Sequence, residues 1–206
     1  INIMELFKYV KGKKRYQDFE VFTEHIPTPQ IDPTEESFDL HNNKLYKSWK
    51  ELGNAPIIGG NLNLVYSSIE SLDGLESVGG TLKLNDTSIE SLGNLESVGG
   101  FLNLSNTPNL KSLGNLESVG RNLNISNSLV ESLGNLKSVG GWLYLAKTPI
   151  KSLGNLKNVG RNLNLIHTPN LESLGDLNYV GGKIFVEKGS TTEELVLKSK
   201  FTDNIM

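Results

Sequence analysis

The sequence predicts a mainly β protein: a right-handed parallel β-solenoid of about seven turns plus a worn first turn, with an N-terminal β-hairpin cap and a short C-terminal helix cap. Three observations predict it. A twenty-residue phrase recurs down the chain, most legibly over residues 89–104 as IESLGNLESVGGFLNL, with copies beginning at Ile69, Leu110, Val130, Ile150 and Leu171 and a degraded one around Trp49. The apolar pairs that close the copies are Leu62/Leu64, Leu82/Leu84, Leu102/Leu104, Leu123/Ile125, Leu143/Leu145, Leu163/Leu165 and Ile184/Val186, spaced 20, 20, 21, 20, 20 and 21 residues apart. Composition agrees: 21 glycines in 206 residues and only 37% hydrophobic residues suit a narrow stack of short strands and tight turns better than a thick core.

Taken in order, residues 1–37 form a cap. Residues 7–10 and 16–22 read as two strands joined around Gly12, followed by a connector through Pro27, Pro29 and Pro33. The solenoid occupies residues 38–188. It opens on a worn repeat, Phe38-Asp39-Leu40 followed by His41, Asn42, Asn43 and Leu45. In a full copy the apolar residues are Ile89, Leu92, Leu95, Val98, Leu102 and Leu104. The closing Leu-x-Leu has the two-residue period of a strand, which turns both leucines to one face. The pair after each valine, such as Gly99-Gly100, supplies positive φ or a close backbone approach, and the glycine and asparagine of Ser-Leu-Gly-Asn-Leu suit left-handed bends. No turn buries enough alone, so folding is cooperative along the stack. Residues 189–206 form the C-terminal cap, where Thr191 and Glu194 read as a capping box opening a helix through Leu195, Leu197 and Phe201.

Several function classes are disfavoured. A net charge of −3 and a pI near 5.7 give no reason to expect nucleic acid or an acidic membrane as partner. The absence of cysteine removes disulfides and thiolate metal sites and favours a cytosolic-type compartment. No stretch reaches the roughly 18 apolar residues of a membrane span. The chain opens on Ile1 rather than Met, which leaves a trimmed leader, and with it secretion, as an alternative. His25, His41 and His167 lie too far apart for metal-ligand spacing, and no phosphate-loop motif occurs, so no metal or cofactor is expected. Of the outward strand positions only Glu187 is acidic, so no catalytic residue is nominated there.

Two basic groups stand out. Lys8, Lys11, Lys13, Lys14 and Arg15 cluster about the hairpin turn, and Arg121 and Arg161 replace the second glycine two turns apart. Solvated turns and tolerated variants are their simplest reading, with contact to a nucleic-acid backbone or an acidic protein as the competing one. The sharper exceptions are Phe101, Trp142, Tyr144 and Phe185, large aromatics at outward positions where other turns place Asn, Lys or Thr, with Ile166 and His167 beside them. Exposed aromatics are enriched at binding hot spots, so these residues nominate a protein-binding surface. Burial under the N-terminal cap, a loop or a dimer mate is the competing account. The asparagines Asn63, Asn103, Asn124 and Asn164 fit hydrogen bonding along the sheet.

The phrase LESVGGTLKL with a following Asn-x-Thr-x-Ile, residues 75–89, resembles leucine-rich repeats. It is most similar to the variety in receptor L domains, which carry V/I-G-G-x-L-x-I and an Asn-x-Pro-x-Leu turn like that from Asn106 to Leu110. Similar glycine-paired repeats occur in proteins of large tailed bacteriophages. The resemblance covers residues 38–188 and implies a right-handed parallel β-solenoid that binds proteins. The chain departs from receptor ectodomains in having neither cysteines nor a spanning helix.

The leading expectation is therefore a soluble, non-enzymatic module that binds a protein through its exposed sheet, in the host cytoplasm if the protein is viral. Carbohydrate binding or surface adhesion is the first alternative. An enzyme with a site near His25, Asp32, Glu35 and His41 is the second, and a homodimer also fits the pattern.

Overall fold

The structure, a computed structural model, describes residues 37–42, 44, 46–51 and 55–206. The hairpin, the proline connector and the basic cluster at Lys11, Lys13, Lys14 and Arg15 lie outside the described residues. So do His25, Asp32 and Glu35.

The described chain is a parallel β-solenoid with two sheets. The longer one contains β1 (Phe38–Asp39), β3 (Leu62–Asn63), β5 (Leu82–Lys83), β7 (Leu102–Asn103), β9 (Leu123–Asn124), β11 (Leu143–Tyr144), β13 (Leu163–Asn164) and β15 (Ile184–Phe185), each paired in parallel with the next. The shorter one contains β2 (Ile57–Ile58), β4 (Ser77–Val78), β6 (Ser97–Val98), β8 (Ser118–Val119), β10 (Ser138–Val139), β12 (Asn158–Val159) and β14 (Tyr179–Val180). Register follows the repeat: Leu62 aligns with Leu82, Leu102, Leu123, Leu143, Leu163 and Ile184 in one column. Phe38 aligns below Leu62, so the worn repeat is a true first strand.

The core is the space between the sheets, filled by the repeated aliphatics. Leu62 through Ile184 in the first column and Leu64 through Leu165 in the second are fully buried, and Val186 is half-buried against the cap. A hydrogen-bonded ladder ties neighbouring turns, as in Leu123 N donating to Trp142 O at 2.9 Å and Leu143 N to Asn162 O at 2.9 Å. A third line of contact follows the serines of Ser-Leu-Gly, bridged from Ser112 to Ser132, Ser152 and Ser173. Each of these serines accepts the N–H of the glycine two residues on, at 3.0 to 3.1 Å, so the side chain closes its own bend.

Local conformations choose between the readings the sequence leaves open, and depart from it at the asparagine of Ser-Leu-Gly-Asn-Leu. The glycine pairs are not positive-φ turns: their first members are required by close approach, because a Cβ on Gly99, Gly120, Gly140, Gly160 or Gly181 would lie under 3.0 Å from the carbonyl of the matching glycine one turn below. Positive φ belongs instead to the glycine of Ser-Leu-Gly-Asn, such as Gly93 at 57°, and to a non-glycine column of Asn42, Tyr66, Asp86, Asn106, Asn127, Lys147 and His167. The asparagine of that phrase is not in this set. One residue beyond the six members from Tyr66 to His167 lies a buried Ser or Thr, and five of these donate back across the turn, as Thr107 to Leu104 O at 2.7 Å and Thr148 to Leu145 O at 2.7 Å.

The C-terminal helix, α1 (Thr191–Leu197), forms as expected, but its cap starts one residue earlier. Ser190 Oγ accepts from Glu193 N, and Glu193 Oε2 accepts from Gly189 N at 2.6 Å. The helix buries Val196 and Thr192 rather than Leu197, which is exposed, and Phe201 is buried in the segment that follows. Ile205 then pairs in parallel with Ile184, covering the open edge of β15.

Candidate protein-binding face

The outward face of the longer sheet carries three rows of side chains. The first row lies just before each strand and runs Asn61, Thr81, Phe101, Asn122, Trp142, Asn162, Lys183; the second runs Asn63, Lys83, Asn103, Asn124, Tyr144, Asn164, Phe185. Parallel register places Trp142 and Tyr144 on one turn and Phe185 two turns further on.

Three of the four predicted aromatics come together. Trp142 and Tyr144 stack with ring centroids 5.4 Å apart and planes 12° from parallel, and Trp142 and Phe185 stack at 6.0 Å and 11°. Tyr144 and Phe185 belong to strands about 9.6 Å apart, at about 4.8 Å per strand, and Trp142 stacks on both. The result is a ridge of three half-buried rings with Trp142 in the middle. Phe101 is half-buried two turns below and makes no ring contact among the described residues. Ile166 is half-buried beside the ridge, its N–H donated to Asn164 Oδ1 at 3.0 Å. His167 is exposed at the turn after β13, with Nδ1 2.9 Å from Glu187 Oε2.

The asparagines hold the sheet itself. In the second row Asn103, Asn124 and Asn164 accept the N–H two residues ahead through Oδ1, at 3.0 to 3.2 Å. In the first row they reach up one turn: Asn61 Oδ1 accepts from Thr81 N at 2.6 Å, Asn122 Oδ1 from Trp142 N at 2.9 Å and Asn162 Oδ1 from Lys183 N at 2.6 Å. The backbone under Trp142 is therefore pinned by Asn122.

These first-row oxygens add to a backbone crowding that limits where arginine fits, since a Cβ on Gly100, which has no asparagine beneath it, would still lie 2.6 Å from Gly80 O. A Cβ on Gly80, Gly141 or Gly182 would fall under 3.0 Å from the asparagine oxygen of the turn below. Arg121 and Arg161 stand above Phe101 and Trp142, where no such oxygen intervenes. Their backbone bonds to the turn below lengthen to 3.2 and 3.1 Å, against 2.7 to 2.9 Å at Gly80, Gly100, Gly141 and Gly182, which makes room for the side chain. Both arginines are exposed, and neither guanidinium has an ion pair or hydrogen bond among the described residues. The resolved pKa shifts lie elsewhere. Tyr46 is raised by burial and by Glu51, and Lys47 by its hydrogen bond to Glu70 and the attraction that goes with it.

Two concavities complete the described surface. A shallow trough of about 500 Å3 runs along the shorter sheet, floored by serines and glycines such as Ser97, Gly99, Ser118 and Gly120 and ended by exposed Ile57 and Tyr179. A second, of about 390 Å3, lies between His167, Glu187 and the start of α1. Among the described residues no group of three or more His, Cys, Asp or Glu side chains gathers as a metal site, and no helix is long and apolar enough to cross a membrane.

Fold and surface together define a parallel β-solenoid of about seven turns with a single aromatic ridge on its longer sheet. No protein-family model, curated protein or solved structure matches this chain.

Proposed function

We propose that this chain is a non-enzymatic, leucine-rich-repeat-like module that captures a protein on the outward face of its longer sheet, with Trp142, Tyr144 and Phe185 as the anchor. The observation that carries the reading is the ridge itself: three aromatic rings held parallel on a sheet whose backbone is fixed by ladder and asparagine hydrogen bonds. Side chains already ordered by stacking lose little further freedom when a partner docks, so their apolar area is available for association. The sheet face around them carries Asn, Ser and Lys rather than paired carboxylates, which favours binding over hydrolysis. The resemblance to glycine-paired repeats of large tailed phages extends the proposal to a viral protein that occupies a host factor.

The test is affinity capture from lysate of the source cells, with wild type and with Trp142→Ala/Tyr144→Ala as baits of equal thermal stability. The reading expects a protein held by wild type and lost from the double variant. Equal recovery on both baits rejects it, and light scattering on the isolated chain checks that a second copy is not the occupant.

A further inference from the structure

The ridge is bordered mostly by positive charge. Arg121 and Arg161 occupy equivalent positions two turns apart, about 9.6 Å at about 4.8 Å per strand, with Gly141 between them carrying no side chain. They flank the turn that bears Trp142. Lys183 lies in the Trp142 row and Lys147 at the far end of the Tyr144 turn, both exposed. Against these four cations stand Glu187, in contact with His167, and Asp203 at the C-terminal cap, whose backbone oxygen accepts from Lys183. The whole chain is nonetheless acidic, at −3. A cationic border around an aromatic ridge on an acidic protein is a local arrangement and not a consequence of bulk composition.

We propose that the partner meets this face with an acidic polypeptide segment, whose carboxylates engage Arg121 and Arg161 while an apolar residue packs on the Tyr144, Trp142 and Phe185 ridge. The inference rests on the docking reading above and adds the chemistry of the partner. Two unpartnered guanidinium groups have bidentate capacity for carboxylates, and their spacing matches residues about three apart on an extended chain, at about 3.3 Å each. The ring edges carry the positive part of the aromatic quadrupole, so negative groups that meet the ridge edge-on are favoured. Single-stranded nucleic acid shares the charge and stacks its bases on aromatic faces, so it is carried as a parallel probe in the test.

The experiment selects peptides of about twelve residues from a random displayed library on the full chain and measures the enriched ones by fluorescence polarisation, with an oligothymidylate strand as a parallel probe. The inference expects enriched peptides to carry two or more Asp or Glu with an apolar residue. It also expects binding to weaken about tenfold or more both in Arg121→Ser/Arg161→Ser and when salt rises from about 0.05 to about 0.5 M. Replacing the peptide's own Asp and Glu by Asn and Gln tests the same contact with the protein unaltered, and the same loss is expected. Peptides that Trp142→Ala/Tyr144→Ala no longer binds but that lack acidic residues, or that bind the arginine variant as well as wild type, overturn the acidic partner and leave the docking reading standing. Peptides indifferent to both variants, or no enrichment at all, overturn both. Oligothymidylate bound as tightly as the best peptide and lost in the arginine variant overturns the inference in favour of nucleic acid.

Discussion

At the scale of the residue, the glycines meet two constraints, a blocked Cβ and a left-handed angle, which fall apart at some positions and together at Gly134 and Gly175. Gly140 has ordinary backbone angles but sits against the carbonyl of Gly120, whereas Gly154 has φ of 55° and nothing within 4 Å of where a Cβ would go. Gly140→Ala forces backbone apart and is expected to cost about 2–4 kcal/mol, while Gly154→Ala carries only the left-handed penalty of about 1 kcal/mol. Urea unfolding of the two variants beside wild type measures the difference; equal losses reject the distinction. Recurrence of Val-Gly-Gly marked these positions as constrained, but spacing alone does not separate a forbidden side chain from a forbidden angle. The buried hydroxyls at Thr107 and Thr148 had a sequence signal that reading by hydrophobic period passes over, namely a Ser or Thr always three residues after the second leucine of a strand. Lys147 in left-handed backbone had none, because lysine does not mark that conformation, and His167 had only the modest enrichment of histidine there.

At the scale of the element, the Leu-x-Leu strands were legible because one face is greasy and the other polar. The shorter sheet was not, since each of its strands turns a single residue inward, as Val78, Val98 and Val119 do, and one apolar position cannot show alternation. The C-terminal helix was legible in kind and misread by one residue in register. Ser190, rather than Thr191, holds the first turn, and Thr192 instead turns inward to donate to Thr168 O at 2.8 Å. Ser190→Ala is expected to destabilise the cap by about 1 kcal/mol and Thr191→Ala by much less, because Thr191 is exposed and its side chain makes no cap bond. Amide hydrogen exchange in α1 reports the loss locally, and equal effects of the two substitutions would contradict the assignment. The aromatic ridge was legible as outward aromatics, yet the pairing of Trp142 with Phe185 across two turns, and the exclusion of Phe101, needed the register of the sheet.

At the scale of the whole molecule, turns communicate through the first-row asparagines. Phe101→Asn copies the residue found at Asn61, Asn122 and Asn162 and by composition alone would look harmless. It places a carboxamide oxygen beneath Arg121, where the backbone bond to the turn below is already lengthened to 3.2 Å to admit a side chain. Phe101→Asn is therefore expected to lower stability by about 1–3 kcal/mol, and Phe101→Asn with Arg121→Gly to recover most of it. Thermal denaturation of both variants decides the matter, with additive losses as the contrary result. The hold of each asparagine runs upward only, from one coil to its successor nearer the C-terminus. This row of the stack consequently has a direction of dependence, like courses of brick in which each layer shapes the one above. Coils cannot be shuffled freely by gene duplication, because an arginine set above an asparagine would meet its oxygen.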